Sequence, residues 1–381
     1  MFKLCSRVPI VVIADDLTGA AEIAGLAQRY GLSAKVLTEG GAPTSVTDVL
    51  VFDTDSRLDS PAIGAAKISR LVPTVLALRP ALIYKKSDSV MRGPVRAELE
   101  TLATALGLGR ALLVPASPSL GRTVQVGRYL INGTALQQTA FGSDPHHPAA
   151  TDDVCALLGT CGSFPVHVGV ADRPLPATGI VVGDATSHAD LDTWAATACD
   201  SSTLLAGASD FFGALLRQSS HTLAPVPPEV PRPPGPTLIL SGTVHPARLA
   251  GPQRVARPAK HYVDHFAWAG EIRQCLVWHG VAIACFEGPI STDATLPFAL
   301  RAALADVAYI LNGDRSFAHL MVEGGTTAAA ITRALDWSEL TLEHAWAPGV
   351  SSLRPAAAAG LTLTLKPGSY PWPDALANFL P

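Results

Sequence analysis

Seven of the thirteen residues from Ala224 to Pro236 are proline. Proline lacks a backbone N–H and fixes φ, so neither a helix nor a central strand can run through this tract. It reads as a semi-rigid, extended linker. The chain is therefore expected to fold as two units, residues 1–223 and 237–381, joined by a linker at 224–236. The competing reading, a long surface loop inside one unit, is disfavoured because a fresh apolar run starts at Thr237 and the strand and helix pattern begins again.

Before the linker, short Val-, Ile- and Leu-rich runs at residues 8–14, 34–37, 49–52, 81–84, 110–114 and 179–182 have the character of strands buried on both faces. Between them, residues 18–30, 60–77, 93–106 and 187–198 carry apolar residues at helical spacing. Such alternation predicts an α/β sheet of mostly parallel strands covered by helices. Residues 115–178 break the rhythm with Gly, Pro and polar residues and are expected to form loops and a small hairpin. After the linker, strands are expected at 237–240, 281–285, 319–322 and 361–365, with helices near 245–256, 268–279, 294–307 and 326–336. The fold class is α/β: two α/β domains with mostly parallel sheets, joined by the Pro-rich linker.

Composition narrows the partners. Of 381 residues, 48% are hydrophobic and 16% charged, with a formal net charge of −4. That is enough apolar material for two cores. It supplies no basic field for nucleic acid. No apolar run reaches the roughly 18 residues of a membrane span. The six cysteines, at 5, 155, 161, 199, 275 and 285, form no CxxC pair and stand in contexts typical of buried thiols. The apolar run from Val8 to Ala14 ends on Asp15 and Asp16 without a small-residue cleavage site, so a secretory leader is not expected. These features point to a reducing cytoplasm.

Ligands of an open α/β sheet bind outside the carboxyl ends of its strands, and three such ends carry charge here. The first reads Ile13-Ala14-Asp15-Asp16-Leu17-Thr18-Gly19-Ala20. Asp16 suits the N-cap of the following helix. Two adjacent acids, however, repel each other unless a cation or a hydroxyl-rich ligand shares the site. The next strand end, Phe52-Asp53-Thr54-Asp55-Ser56-Arg57, offers a guanidinium that could grip a carboxylate or else pair with Asp55 or Asp59. The third, Tyr84-Lys85-Lys86-Ser87-Asp88-Ser89-Val90-Met91-Arg92-Gly93-Pro94, concentrates cations, hydroxyls and an acid in a chain poor in lysine. Phosphoryl transfer calls for that set: cations for anionic oxygens, and a carboxylate that takes a hydroxyl proton or binds Mg²⁺. Pro115 to Gly127, with Gly121-Arg122-Thr123, reads as a substrate-shaping loop.

In the second unit, the sequence His319-Leu320-Met321-Val322-Glu323-Gly324-Gly325-Thr326-Thr327 describes a buried strand that breaks on paired glycines and restarts as a helix. Glycines let backbone approach a phosphate, and the first N–H groups of a helix lack internal partners. Ser241-Gly242-Thr243-Val244-His245 makes a similar turn. So do the loops at Pro348-Gly349-Val350 and Lys366-Pro367-Gly368-Ser369, where Lys366 could neutralise phosphate charge. There is no GxxxxGK[ST], no GxGxxG after the first strand, no HExxH and no GxSxG. His146 and His147 lie in a Pro-rich loop with no metal-ligand spacing, and no metal ligands are assigned.

Taken together, these segments resemble the four-carbon acid sugar kinase family, whose members phosphorylate threonate, erythronate and 3-oxo-tetronate type acids with ATP. The two specific signatures are Ile13 to Ala20 and Lys85 to Gly93; the glycine turns are shorter matches. The resemblance implies an acid-binding N-terminal domain and an ATP-binding C-terminal domain. Asp16, Arg57, Lys86, Asp88 and Ser89 would contact the acid. Ser241, Gly324, Gly325, Thr326, Thr327, Gly349 and Gly368 would contact ATP. Lys86 and Arg92 would steady charge near the transferred phosphoryl group, and Asp88 or Asp16 would be the base. Two motifs depart from the family pattern. Thr243 and His245 stand where it has serines, and Thr326 stands where an acid follows the paired glycines.

The leading expectation is an ATP- and Mg²⁺-dependent kinase of a small sugar acid, with no nucleic-acid or membrane partner and with a homo-oligomer left open. The alternative is a catalytically weak relative that binds an acidic metabolite as a sensor or regulatory protein. An NAD-dependent oxidoreductase ranks third, for want of the dinucleotide fingerprint.

Overall fold

The computed structural model describes residues 8–38, 41–144, 147–197, 202–219, 221–224, 235–242, 253–288, 293, 295–368 and 370–379. The N-terminal part runs β1 (Ile10–Ala14), α1 (Leu17–Arg29), β2 (Ala34–Thr38), β3 (Val49–Asp53), α2 (Pro61–Ala77), β4 (Leu82–Lys86), α3 (Val95–Ala105), β5 (Arg110–Val114), β6 (Arg122–Gln125), β7 (Arg128–Ile131), β8 (Thr134–Ala135), α4 (Val154–Leu158), β9 (Val166–Gly169), β10 (Gly179–Gly183), α5 (His188–Thr197), β11 (Thr203–Gly207) and α6 (Ser209–Gln218). The C-terminal part continues with β12 (Thr237–Ser241), β13 (Arg254–Pro258), α7 (His265–His279), β14 (Val281–Glu287), α8 (Leu296–Gly313), β15 (His319–Glu323), α9 (Gly325–Ala334), β16 (Glu339–Ala347), β17 (Val350–Pro355) and β18 (Thr362–Lys366). The fold is α/β, as the apolar alternation predicts.

β1 shows why. Its five residues, IVVIA, are all buried because helices cover both faces of the sheet. Each large aliphatic side chain removed from water in this way contributes about 1.5–3 kcal/mol. β1 lies between β3 and β4, parallel to both, so the ends of all three strands, and the charged residues that follow them, open on one edge.

The two parts are not separate sheets. Fifteen strands form one sheet in the order β13-β14-β12-β15-β18-β17-β16-β2-β3-β1-β4-β11-β5-β10-β9, and the seam is an antiparallel pairing of β16 with β2. At the seam Glu339 pairs with Lys35 and accepts the Thr44 N–H at 2.8 Å and its hydroxyl at 2.7 Å. Helix α1 packs across the joint. The Gln28 side chain donates to Glu343 O at 2.8 Å and accepts from Ala345 N at 2.9 Å, while Ser351 Oγ donates to Ala21 O at 3.1 Å.

Three expectations need correction. The helix expected near 245–256 is not formed at its described end, where β13 begins at Arg254; residues 243–252 lie outside the described residues. Residues 115–178 hold more order than a loop and hairpin: β6, β7 and β8 form an antiparallel sheet of their own, followed by α4 and β9. The strands β9, β11, β16 and β17, with helix α6, also went unread, being short or of mixed polarity. Among the cysteines, Cys275 and Cys285 are buried thiols, but Cys161 is exposed and Cys155 half-buried. Cys5, Cys199 and most of the Pro-rich linker, residues 225–234, lie outside the described residues.

Candidate active site

The β1 end resolves the question of its paired acids from within the chain. Asp16 caps α1, accepting the Gly19 N–H at 2.8 Å and the Thr18 hydroxyl at 2.6 Å. The Arg57 guanidinium then bridges both acids: Nε and Nη2 reach Asp15 at 2.9 Å, while Nη1 and Nη2 reach Asp16 at 2.7 and 2.8 Å. The backbone N–H groups of Ser56 and Arg57 both donate to Asp15 O, which fixes the turn that carries the guanidinium. Arg57 therefore pairs with neither Asp55 nor Asp59. Burial alone would raise the Asp15 carboxyl, but Arg57, with Lys85 and Lys86 behind it, holds it below the usual range. Asp53, one strand over, has no such cation among the described residues. Burial and the neighbouring Asp55 push its carboxyl well above the usual range.

Strand alternation separates the twin lysines of β4. Lys85 points into the helix layer, where its ammonium meets Glu98 at 3.1 Å, both side chains buried. Lys86 faces the other way, 3.5 Å from Glu22 and donating to Ser87 O at 3.0 Å. Beyond it, Asp88 takes Arg92 bidentately, Nε at 2.9 Å and Nη2 at 3.0 Å, and lies 3.7 Å from Arg57. Burial works against the Asp88 anion, yet Arg57 and Arg92 outweigh it and hold its carboxyl far below the usual range.

Across the cleft, β15 is followed by Gly324, whose φ of 99° lies in the left-handed region that favours glycine. No side chain caps α9 there. Gly325 meets the acid side at close range: a Cβ on it would stand 2.7 Å from Asp16 Oδ2 and 3.0 Å from Thr18 Oγ1. The N-termini of α1 and α9 thus face each other across one gap.

That gap is a cleft of about 500 Å³ lined from both parts, with Asp16, Lys86, Asp88 and Arg92 on one side and Gly325 and Gly368 on the other. Arg57, Ser89 and Thr326 also line it. The remaining expected contacts stand elsewhere. Ser241 and Lys366 are buried and turn inward on Glu323, at 2.5 and 3.2 Å; Lys366 also donates to Pro367 O and Tyr370 O. Thr327 is buried against Gly242. Gly324 shapes the turn without lining the cleft. Gly349 rests on the Tyr370 ring and lines a second cavity of about 380 Å³ with Glu22, Arg29 and Asp210. Thr243, His245, His146 and Ser369 lie outside the described residues.

Sequence reasoning gave no role to several lining residues. Arg122, expected only as a member of the substrate-shaping loop at Pro115 to Gly127, lines the cleft itself, and its Nη1 reaches Ser89 Oγ. The rings and charges of Phe141, Asp144 and His147 come from the non-periodic stretch, with Asp144 on Arg92 at 2.9 Å and His147 Nε2 at 2.9 Å from Arg57 O. No local pattern marks them. Glu323, the acid that gathers Ser241 and Lys366, was visible as a strand-end acid like Asp15. Among the described residues, no group of three His, Cys, Asp or Glu side chains could hold a metal ion. The acids that converge here are spent on guanidinium groups and offer no ready-made cation cage.

Models of a sugar-binding N-terminal domain and of a nucleotide-binding C-terminal domain match residues 10–215 and 289–376. A D-threonate kinase of Cupriavidus necator is 30% identical over 377 residues, covering 89% of this chain and 89% of that protein. The chain belongs to the four-carbon acid sugar kinase family. A D-threonate kinase of Salmonella typhimurium is 32% identical over 223 residues, 54% of this chain and 53% of that protein. A solved structure from Salmonella typhimurium LT2, provisionally called a tRNA synthase, matches with a TM-score of 0.75 at 18% identity, over 96% of this chain and 97% of that one. At that identity the likeness speaks for the fold alone. Among the described residues, no helix of this family member is long and apolar enough to cross a membrane.

Proposed function

We propose that the chain transfers the γ-phosphoryl group of ATP to a hydroxyl of a four-carbon sugar acid, D-threonate being the first candidate from the relatives' names. Residues 1–223 would bind the acid and residues 237–381 the nucleotide. The observation that carries this reading is the cleft itself, where a charged acid-side wall stands against the uncapped N-terminus of α9. Side chains recognise the sugar acid; backbone N–H groups receive phosphate.

In the reaction the substrate hydroxyl oxygen bonds to the γ-phosphorus, the bond to the β-phosphate oxygen breaks, and the hydroxyl proton passes to a carboxylate. Asp16 is the better acceptor. It stands beside Gly325, at the junction of acid and phosphate; Arg57 grips it as Arg92 grips Asp88, so position and not basicity makes the choice. Asp88 instead anchors Arg92 and steadies Arg57. Lys86 has one distant acid partner and a spare N–H for a phosphoryl oxygen. Mg²⁺ would arrive on the nucleotide, since the described residues supply no cage for it. The thiols at Cys155, Cys161, Cys275 and Cys285, none of them in a disulfide, are consistent with a reducing cytoplasm.

A sensor that binds acid without turnover draws on one observation: Lys366 is turned onto Glu323 and away from the cleft. A coupled ADP-release assay with ATP, Mg²⁺ and a panel of four-carbon acids separates the two. Turnover with one acid, reduced about 100-fold or more in Asp16→Asn, is expected. Saturable acid binding with no ADP release across the panel would overturn the kinase in favour of the sensor.

A further inference from the structure

We propose that the substrate's carboxylate is received by Arg122, in concert with Ser89, and not by Arg57. This assignment rests on the sugar-acid reading above and adds the residue that makes the cleft select an acid over a neutral polyol.

The three cleft guanidinium groups differ in how many donors they have already committed. A guanidinium has five N–H groups and no acceptor. Arg57 commits Nε, Nη1 and Nη2 to four hydrogen bonds with Asp15 and Asp16. Arg92 commits Nε and Nη2 to Asp88 and Nη1 to Asp144. Arg122 has one bond, from Nη1 to Ser89 Oγ; its Nε and Nη2 meet no acceptor among the described residues, and no carboxylate pairs with it there. It is half-buried in the cleft wall.

The energetics point the same way. Only one Nη1 N–H of Arg57 is left over, so for Arg57 to take a substrate carboxylate bidentately an aspartate would have to give up its partner and stay buried without a counter-ion, which is strongly unfavourable. Arg122 loses nothing by accepting one. It is also held in place in advance. Its backbone exchanges hydrogen bonds with Ser117, N to O at 3.1 Å and the reverse at 2.8 Å, and its guanidinium lies 5.5 Å from the centroid of the Phe141 ring, which Arg92 also approaches, at 5.3 Å. A fixed planar fork beside an aromatic ring is suited to bidentate carboxylate recognition.

The test is calorimetric binding of D-threonate, D-erythronate and neutral threitol to the wild type, Arg122→Gln, Arg122→Lys and Arg57→Gln. Arg122→Gln is expected to weaken acid binding by about 10- to 150-fold, the range for losing hydrogen bonds to a charged group, and to leave threitol binding unchanged. Arg122→Lys, which keeps the charge without the fork, should recover part of the loss, and steady-state KM for the acid should rise while kcat stays within about threefold of wild type. Wild-type acid affinity in folded Arg122→Gln, or in folded Arg122→Lys should the Gln variant not fold, overturns the assignment. So does a threitol affinity that falls with the acid affinity. Acid binding without ADP release in the wild type would sink the kinase reading and leave the Arg122 comparison intact. No acid binding by the wild type would sink both.

Discussion

The two walls of the cleft are built from opposite materials. On the N-terminal side, the strand ends carry Asp15, Asp16, Arg57, Lys86, Asp88 and Arg92, and nearly every charge is bound to another charge of the same wall. On the C-terminal side the cleft is lined by glycine and threonine, and the Glu323–Lys366 ion pair behind it is folded inward. On the function proposed above, the contrast teaches how each wall would recognise its ligand. A carboxylate and several hydroxyls need directional side chains held in register by a salt-bridge network. A phosphate chain needs close access to backbone N–H groups, which any side chain would obstruct. The acid wall should therefore be sensitive to loss of charge, and the phosphate wall to gain of bulk.

The hardest blow to the acid wall is Arg57→Ala. It leaves Asp15 and Asp16 buried side by side without their shared cation, and a loss of about 3–5 kcal/mol in urea denaturation at neutral pH is expected. A loss below about 1 kcal/mol would mean that the network is ornamental. Next comes Gly325→Ala on the opposite wall. The added methyl would collide with Asp16 Oδ2, and the resulting misplacement should lower ADP release about 100-fold with little change in global stability. Unchanged turnover would remove the close approach from the argument.

A gentler probe uses the two signs of charge perturbation within the acid wall. Asp15 and Asp88 have carboxyls held below the unfolded value of about 3.9, so the stability they lend is complete above that pH and is lost as pH falls through their folded values. Asp53 is the reverse. Its folded carboxyl titrates well above the unfolded one, so the chain is penalised progressively as pH rises from about 4 through the folded value. Asp53→Asn keeps an oxygen for the Asp55 N–H and should raise the denaturation midpoint at pH 7 while leaving it nearly unchanged at pH 4. A destabilised variant at pH 7 would contradict the buried-acid account. Smallest of all is Arg333→Ala, which cuts an ion pair to Asp55 between the two parts at 2.8 Å. Arg333 is exposed, so a cost of at most about 1 kcal/mol is expected, shrinking further in high salt.

Much of this molecule was legible in its residues. The runs at 8–14, 49–52 and 81–84 became the bodies of β1, β3 and β4 because strands buried on both faces are largely apolar, and the acids and lysines at or beyond their carboxyl ends had to fall at one edge. The Glu323-Gly324-Gly325 break became a strand end and helix start because the paired glycines permit the left-handed turn there. Those inferences rest on local chemistry, which sequence carries directly. Other features have no local signature. That Lys85 faces Glu98 while Lys86 faces the cleft depends on which layer lies on each side of β4. Arg57's commitment to Asp15 and Asp16, in place of a ligand, depends on β3 lying beside β1. The joining of two parts into one sheet through β2 and β16, the arrival of Phe141 and Asp144 at the cleft, and the meeting of Arg122 with Ser89 are contacts between residues far apart in the chain. Composition and spacing thus determined that this is an α/β protein with charged strand ends facing a glycine turn. Only the tertiary structure decided which of the described charges neutralise one another, because pairing is a property of distance in space.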